Sequence, residues 1–273
     1  MDLAQIHLTK DPWLSGLLQR DAYNLCCDEK MIEHIIEQFG ESDKMDSGDF
    51  ERLRRLQSQP VFITAKVHTT NVDACQFLEQ HGFRLVDTNV SFGKKVGTRP
   101  QPSARYRMKM EFRWAEPADR DAVVDIARRS FQYSRFHLDP VIPNELANEI
   151  KASWAGNYFS GERGNEMVVA TERGRIIGFA QLVGISERTF TIDLIAVDPN
   201  FQRQGAAAGM IDFAETMFVE RWPDPHGHGP GAILVGTQLV NQASISVYQN
   251  LGFRLFSSKY VFHFHNPPEY VTK

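Results

Sequence analysis

The chain of 273 residues carries 34 acidic against 30 Lys and Arg side chains, a formal net charge of -4, with 42% apolar and 23% charged residues. That is the composition of a globular protein long enough to bury one large core or two ordinary ones, without the basic surplus that draws a chain to nucleic acid or an anionic membrane. Three cysteines (Cys26, Cys27, Cys75) exclude a disulfide framework and lack zinc-finger spacing, and no apolar run reaches the roughly 18 residues of a membrane span. The opening stretch MDLAQIHLTKDPWLSG has no basic segment followed by an apolar run, so no signal peptide is expected. The expected setting is reduced and cytoplasmic.

In chain order, VFITAKVHTTNVDACQFLEQHGFRLVDTNVSF (61–92) reads as a strand, an Asn-capped short helix, a glycine stop and a hairpin. GKKVGTRPQPSA (93–104) reads as a linker, rich in Gly, Pro and basic residues. A strand, a Pro-marked turn and a helix follow, with Pro117, Asp119 and Asp121 at the helix start. Three β-rich runs between Asn165 and Val197 are split at Arg173-Gly174 and at Ser186-Glu187-Arg188. From Gln202 the pattern turns helical, with Met210, Phe213, Ala214, Met217 and Phe218 forming one apolar stripe. GAILVGTQ is a short buried strand, NQASISVYQNLGF a helix capped by Asn241 and stopped at Gly252, and FRLFSSKYVFHFH a final hairpin. This order of elements indicates an α/β (α+β) fold with a mixed sheet.

Residues 61–92 align without a gap on residues 231–262, pairing Asn71 with Asn241, Gly82 with Gly252, Phe83 with Phe253 and Arg84 with Arg254. A glycine stop followed by a core Phe is common chemistry, but the shared element order over the whole stretch predicts two related folds. The expected division is a degenerate domain at 1–92, a linker at 93–104 and a working domain at 105–273.

The strongest local signal is IDLIAVDPNFQRQGAAAG, Ile192 to Gly209. A helix start presents unpaired N–H groups and a partial positive charge, and small residues let a phosphate approach. Such a start alone also serves a helix packed closely on a sheet. The combination is more specific. Val197-Asp198-Pro199, then Gln202, Gly205 and Ala207, then Asn241, Tyr248 and Leu251-Gly252-Phe253, resemble the two motifs of the GNAT superfamily of N-acetyltransferases. The resemblance covers about Met110 to His265. It implies acetyl-coenzyme A as cosubstrate, with Ile195, Ala196 and Val197 along its acetyl and pantetheine arm. Gln202, Arg203, Gln204, Gly205, Ala206, Ala207 and Ala208 would hold its phosphates, and Asn241 would be a further contact. It also implies that Tyr248 protonates the departing thiolate, a task suited to a phenol of pKa about 10 facing a thiol of about 8.5. A tyrosine merely packed in the core is the alternative, and Leu78 occupies the matching place in the N-terminal copy.

Asp193 interrupts an apolar strand on the face expected to hold Ile195 and Val197. A buried carboxylate needs a cation: either the acceptor ammonium, making Asp193 a catalytic or substrate-binding residue, or an arginine in a structural ion pair. SFQYSRFHLDPVIP (130–143), with the GTQ…N…Y pattern, is similar to the dTDP-fucosamine acetyltransferases. That likeness implies an acceptor site using Ser134, Arg135, Phe136 and His137; an ordinary loop that packs Phe136 is the other reading. His226 and His228 stand in a Gly/Pro loop without partners, and His263 and His265 alternate as the polar face of a strand, so no metal is assigned. The expected protein is an acetyl-CoA-dependent N-acetyltransferase acting on a small-molecule amine, a nucleotide-linked amino sugar, with a homodimer possible and neither nucleic acid nor membrane as partner. The rivals are a protein N-terminus, polyamine or antibiotic as acceptor, or a non-catalytic coenzyme A-binding module.

Overall fold

The computed structural model describes residues 7–26, 48–96, 110–221 and 231–270. Contacts divide the chain into two units. The N-terminal unit is Met1–Asn89 with Tyr133–Ala147 and Ser257–Lys273; the C-terminal unit is Val90–Gln132 with Asn148–Phe256.

The N-terminal unit contains β1 (His7–Lys10), α1 (Pro12–Leu18), β2 (Asp21–Cys26), α2 (Gly48–Gln57), β3 (Val61–His68), α3 (Val72–Gln80) and the start of β4 (Arg84–Val96). Its sheet runs β1-β2-β3 and then β10 (Arg254–Asn266), the last strand of the chain. β2 and β3 are parallel, while β10 is antiparallel to β3, from Lys259↔His68 to Asn266↔Val61. Its core gathers Leu25, Leu53, Ile63, Val67, Phe77, Leu78, Phe83 and Phe262.

The C-terminal unit begins with the second part of β4. It continues through β5 (Met110–Trp114), α4 (Arg120–Ser130), most of α5 (Asn144–Gly156), β6 (Glu166–Glu172), β7 (Arg175–Ser186), β8 (Thr189–Val197), α6 (Ala206–Arg221), β9 (Gly231–Gln238) and α7 (Gln242–Asn250). Its strands are ordered β4-β9-β8-β7-β6-β5. The mixed α/β character follows the sequence pattern. Arg173 (φ 50°) and Gly174 (φ 77°) turn β6 into β7, the two left-handed residues that a tight hairpin requires.

The repeat is visible in the elements. Val61 and Gly231, Val72 and Gln242, and Arg84 and Arg254 open corresponding elements, each pair 170 residues apart. Asn71 and Asn241 cap their helices alike, accepting from the N–H groups of Ala74 (3.1 Å) and Ser244 (3.2 Å). Gly82 (φ 80°) and Gly252 (φ 85°) end them in the left-handed conformation that favours glycine.

One expectation is corrected here, that of the two hairpins. The segments after each glycine are not hairpins; each is one long strand, β4 or β10. Neither contains a turn residue pair, so the pleat continues and only the pairing partner changes. The contact division also differs from the split at 93–104. Gly93 to Val96 belong to β4, while 97–104 lie outside the described residues. The second part of β10 pairs with β3 in the N-terminal unit, and the second part of β4 lies beside β9 in the C-terminal unit. The two copies have therefore exchanged the ends of their last strands.

Candidate active site

The site is built where β8 and β9 part. Their parallel pairing runs from Thr189↔Ala232 to Ile192↔Val235 and ends there, although both strands continue. At the same point β8 carries a bulge. Leu182 of β7 faces Ile192 and Gln181 faces Leu194, so Asp193 has no opposite number. A bulge bends its strand and interrupts the ladder. From Ile195 to Val197, β8 keeps its bonds to β7 on one edge. Among the described residues, no pairing to β9 is formed on the other.

The bulge also corrects the expected facing of Asp193. Ile192, Ile195 and Val197 pack with Met210 of α6, whereas Leu194 and Ala196 pack on the opposite side with Trp154 and α4. Asp193 turns to Trp154, whose Nε1 donates to it (2.8 Å), and to Arg163, which donates through Nε and Nη2 (2.6 Å each). The cation this carboxylate needs is thus an arginine.

After β8, the turn at Asp198–Pro199–Asn200 sets the direction of the following loop. The Asp198 side chain is fully buried and accepts from Asn200 N–H (3.0 Å), Arg129 (3.0 Å) and Arg175 (3.0 Å). Burial pushes its carboxyl up, but Arg129, the Asn200 N–H and Arg175 outweigh this and hold it below the usual carboxylate range. The Gln202 amide fastens the loop to Val197 C=O (3.2 Å). Arg203 (φ 62°) and Gly205 (φ 95°) are both left-handed. Alternating right- and left-handed residues turn successive N–H groups into one concavity, an anion-binding arrangement. The loop opens into α6 at Ala206, four residues later than the sequence pattern suggested. Gln202 and Arg203 are exposed, Gln204, Gly205, Ala207 and Ala208 half-buried, and Ala206 buried. Gly209 is a packing residue: a Cβ there would lie 2.1 Å from the Phe112 ring. The residues present fit a phosphate group.

Tyr248 lies on α7 and is 3% exposed, its ring beside Phe92 and Phe253. Burial pushes its phenol far above its ordinary value, partly offset by a hydrogen bond with the Ser244 side chain. The phenol therefore keeps its proton. The side-chain oxygen of Asn241 is committed to its cap.

The four residues expected at the acceptor, Ser134, Arg135, Phe136 and His137, all fall in the N-terminal unit. Ser134 Oγ meets His137 Nδ1 (2.6 Å), and Phe136 is 1% exposed, a packing residue. His226 and His228 lie outside the described residues. One group escaped sequence reading. Asp139, His263 and His265 bring their ligand-type atoms within 4.8 Å of one another. The His-x-His alternation was visible; its carboxylate partner was not.

Residues 121–253 match the family model described as "Acetyltransferase (GNAT) family". A curated relative, the spore coat polysaccharide biosynthesis protein SpsD of Bacillus subtilis (strain 168), is 32% identical over 148 residues, 54% of this chain and 48% of its own. The chain thus spans about half the length of that relative. Among solved structures, a GCN5-related N-acetyltransferase from Sphaerobacter thermophilus superposes with a TM-score of 0.58 at 12% identity, covering 96% of this chain and 76% of that one. A tandem GNAT protein from the clavulanic acid biosynthesis pathway gives 0.53 at 12% identity, covering 89% and 75%. At such identities the structural likeness concerns the fold. Between residues 121 and 253, the chain carries a domain of the acetyltransferase (GNAT) family.

Proposed function

We propose that the chain transfers an acetyl group from acetyl-coenzyme A to a primary amine of a small acceptor, a nucleotide-linked amino sugar. The observation that carries this is the parting of β8 from β9 beside the loop at Gln202 to Gly205. A freed strand edge can pair with the amide groups of a pantetheine arm, and the concavity at the start of a long helix suits a pyrophosphate. In this reading Ile195, Ala196 and Val197 supply the edge. The backbone from Gln202 to Ala208 holds the phosphates, with Asn241 beside it, and Tyr248 gives its proton to the thiolate. The neutral amine attacks the thioester carbonyl directly. The family match and the polysaccharide role named for the Bacillus relative support the reaction and the acceptor class.

Gly205→Glu tests the reading. Bulk and negative charge in the cradle are expected to raise the coenzyme A Kd by roughly 100-fold or more, the equivalent of about 2.7 kcal/mol. Gly205→Ala carries the same strain at φ 95° without the charge and serves as the control for folding. Calorimetric titration with coenzyme A reads both. Parental affinity in the glutamate variant removes the loop from the cofactor site and the reading with it.

A further inference from the structure

Asp139 belongs to the N-terminal unit, and its side chain is 2% exposed. Its Oδ2 meets His263 Nδ1 at 2.6 Å and His265 Nε2 at 2.7 Å. The ligand-type atoms of the three side chains lie within 4.8 Å of one another. Both histidines stand two residues apart on β10, hence on one face of the strand, in the same unit as Asp139. A buried carboxylate is paired with a cation or coordinates a metal. Among the described residues, no Lys or Arg comes within salt-bridge distance of Asp139. Its partners there are the two imidazoles, which are charged only when protonated.

The surroundings suit an ion. Metal-bound carboxylates and imidazoles are held from behind by further hydrogen bonds. Asp139 Oδ1 accepts from Val141 N–H (2.9 Å), which leaves Oδ2 for the two rings. His265 Nδ1 meets Tyr270 Oη (3.3 Å), an oxygen that can accept its ring proton and so leave the Nε2 lone pair toward Asp139. His263 is fixed by packing, with Phe62 at 4.8 Å and Phe136 at 6.3 Å. Two imidazoles and one carboxylate are a donor set for a zinc-type ion, with water in the fourth position. At metal bonds of about 2.0–2.1 Å, tetrahedral ligand atoms stand about 3.3 Å apart, so the groups need separate by only about 0.6 Å. The ion takes the place of the two ring protons that lie between the groups. The His265 proton moves to Nδ1, toward Tyr270, and the His263 proton moves to Nε2. Among the described residues that Nε2 has no hydrogen-bond partner, so the exchange breaks no bond there. His265 and Tyr270 are half-buried, while Asp139 and His263 are buried, so the His265 side is the way in.

We propose that Asp139 Oδ2, His263 Nδ1 and His265 Nε2 bind one divalent transition-metal ion of the zinc type, which fastens residues 133–147 to the end of β10. The site is structural and does not depend on the transferase reading. The test uses the full chain without an affinity tag, stripped with a chelator and titrated calorimetrically with Zn²⁺. One equivalent is expected to bind and to raise the melting temperature. Asp139→Asn and His265→Ala should each weaken that site at least 10-fold, no less than the loss of an outer-shell partner costs, and should abolish the thermal shift. No binding to the parent, or binding that survives both substitutions, overturns the proposal. If the variants do not fold, ¹⁵N-imidazole NMR of the parent decides. Zinc should move the His263 ring proton from Nδ1 to Nε2. Zinc that binds while the His263 and His265 resonances stay put lies elsewhere, and that also overturns the assignment.

Discussion

Residues 105–273 expressed alone are expected to give no stable native unit. The C-terminal unit takes Val90, Phe92 and Val96 of β4 into its main core, each no more than 3% exposed. Phe92 lies against Tyr248 itself. Losing three buried side chains at about 2 kcal/mol each removes roughly 6 kcal/mol, comparable with the whole stability of an ordinary domain. The fragment also carries the second part of β10 without its β3 partner, leaving Phe262 and the His263 ring uncovered. An unpaired apolar strand is an invitation to aggregate. Calorimetry and size exclusion check this. A soluble monomer melting at the temperature of the full chain contradicts the strand exchange.

Tyr248→Phe is expected to fold like the parent and to lose roughly 10²–10⁴ in turnover, the usual share of a general acid. The folding half of that expectation rests on Leu78, which fills the corresponding position of the N-terminal copy at 0% exposure without a hydroxyl. Removing the Tyr248 hydroxyl frees only its bond with Ser244, a cost of about 1 kcal/mol. The catalytic half rests on the resemblance, which gives Tyr248 the proton donor's place within the stretch that matches the family model. Burial keeps the phenol protonated and also makes it a weaker acid, so the size of the loss in turnover decides whether the proton is passed from here. Coenzyme A affinity should not change, because the cradle lies elsewhere on the unit, from Gln202 to Ala208. Steady-state turnover beside a thermal melt reads both halves. Parental turnover makes Tyr248 a core residue beside Phe92 and Phe253.

The elements themselves were legible because their signals are local. Asn71 and Asn241 announce helix starts, Gly82 and Gly252 announce stops, and Arg173-Gly174 announces a turn. The loop from Gln202 to Gly205 was legible through the small residues that lead into a helix, although that helix opens only at Ala206. Three features were not local. The exchange of strand ends depends on whether β10 chooses β3 or β9, a long-range pairing that no local residue signal announces. The bulge at Asp193 is a one-residue slip against β7, which reverses the facing of everything after it. A strict two-residue period therefore put Asp193 on the wrong face. The Asp139–His263 bond joins residues 124 apart in sequence, and neither segment hints at the other.

The most direct measurement of the central claim is thiol release from acetyl-CoA by the full chain, with dTDP-4-amino-4,6-dideoxygalactose as acceptor and mass spectrometry of the product. The account predicts one free thiol per N-acetylated sugar, and no release when the amino group is replaced by a hydroxyl. Coenzyme A binding without thiol release, for this sugar and for a panel of other primary amines, would contradict it and leave a binding module in its place.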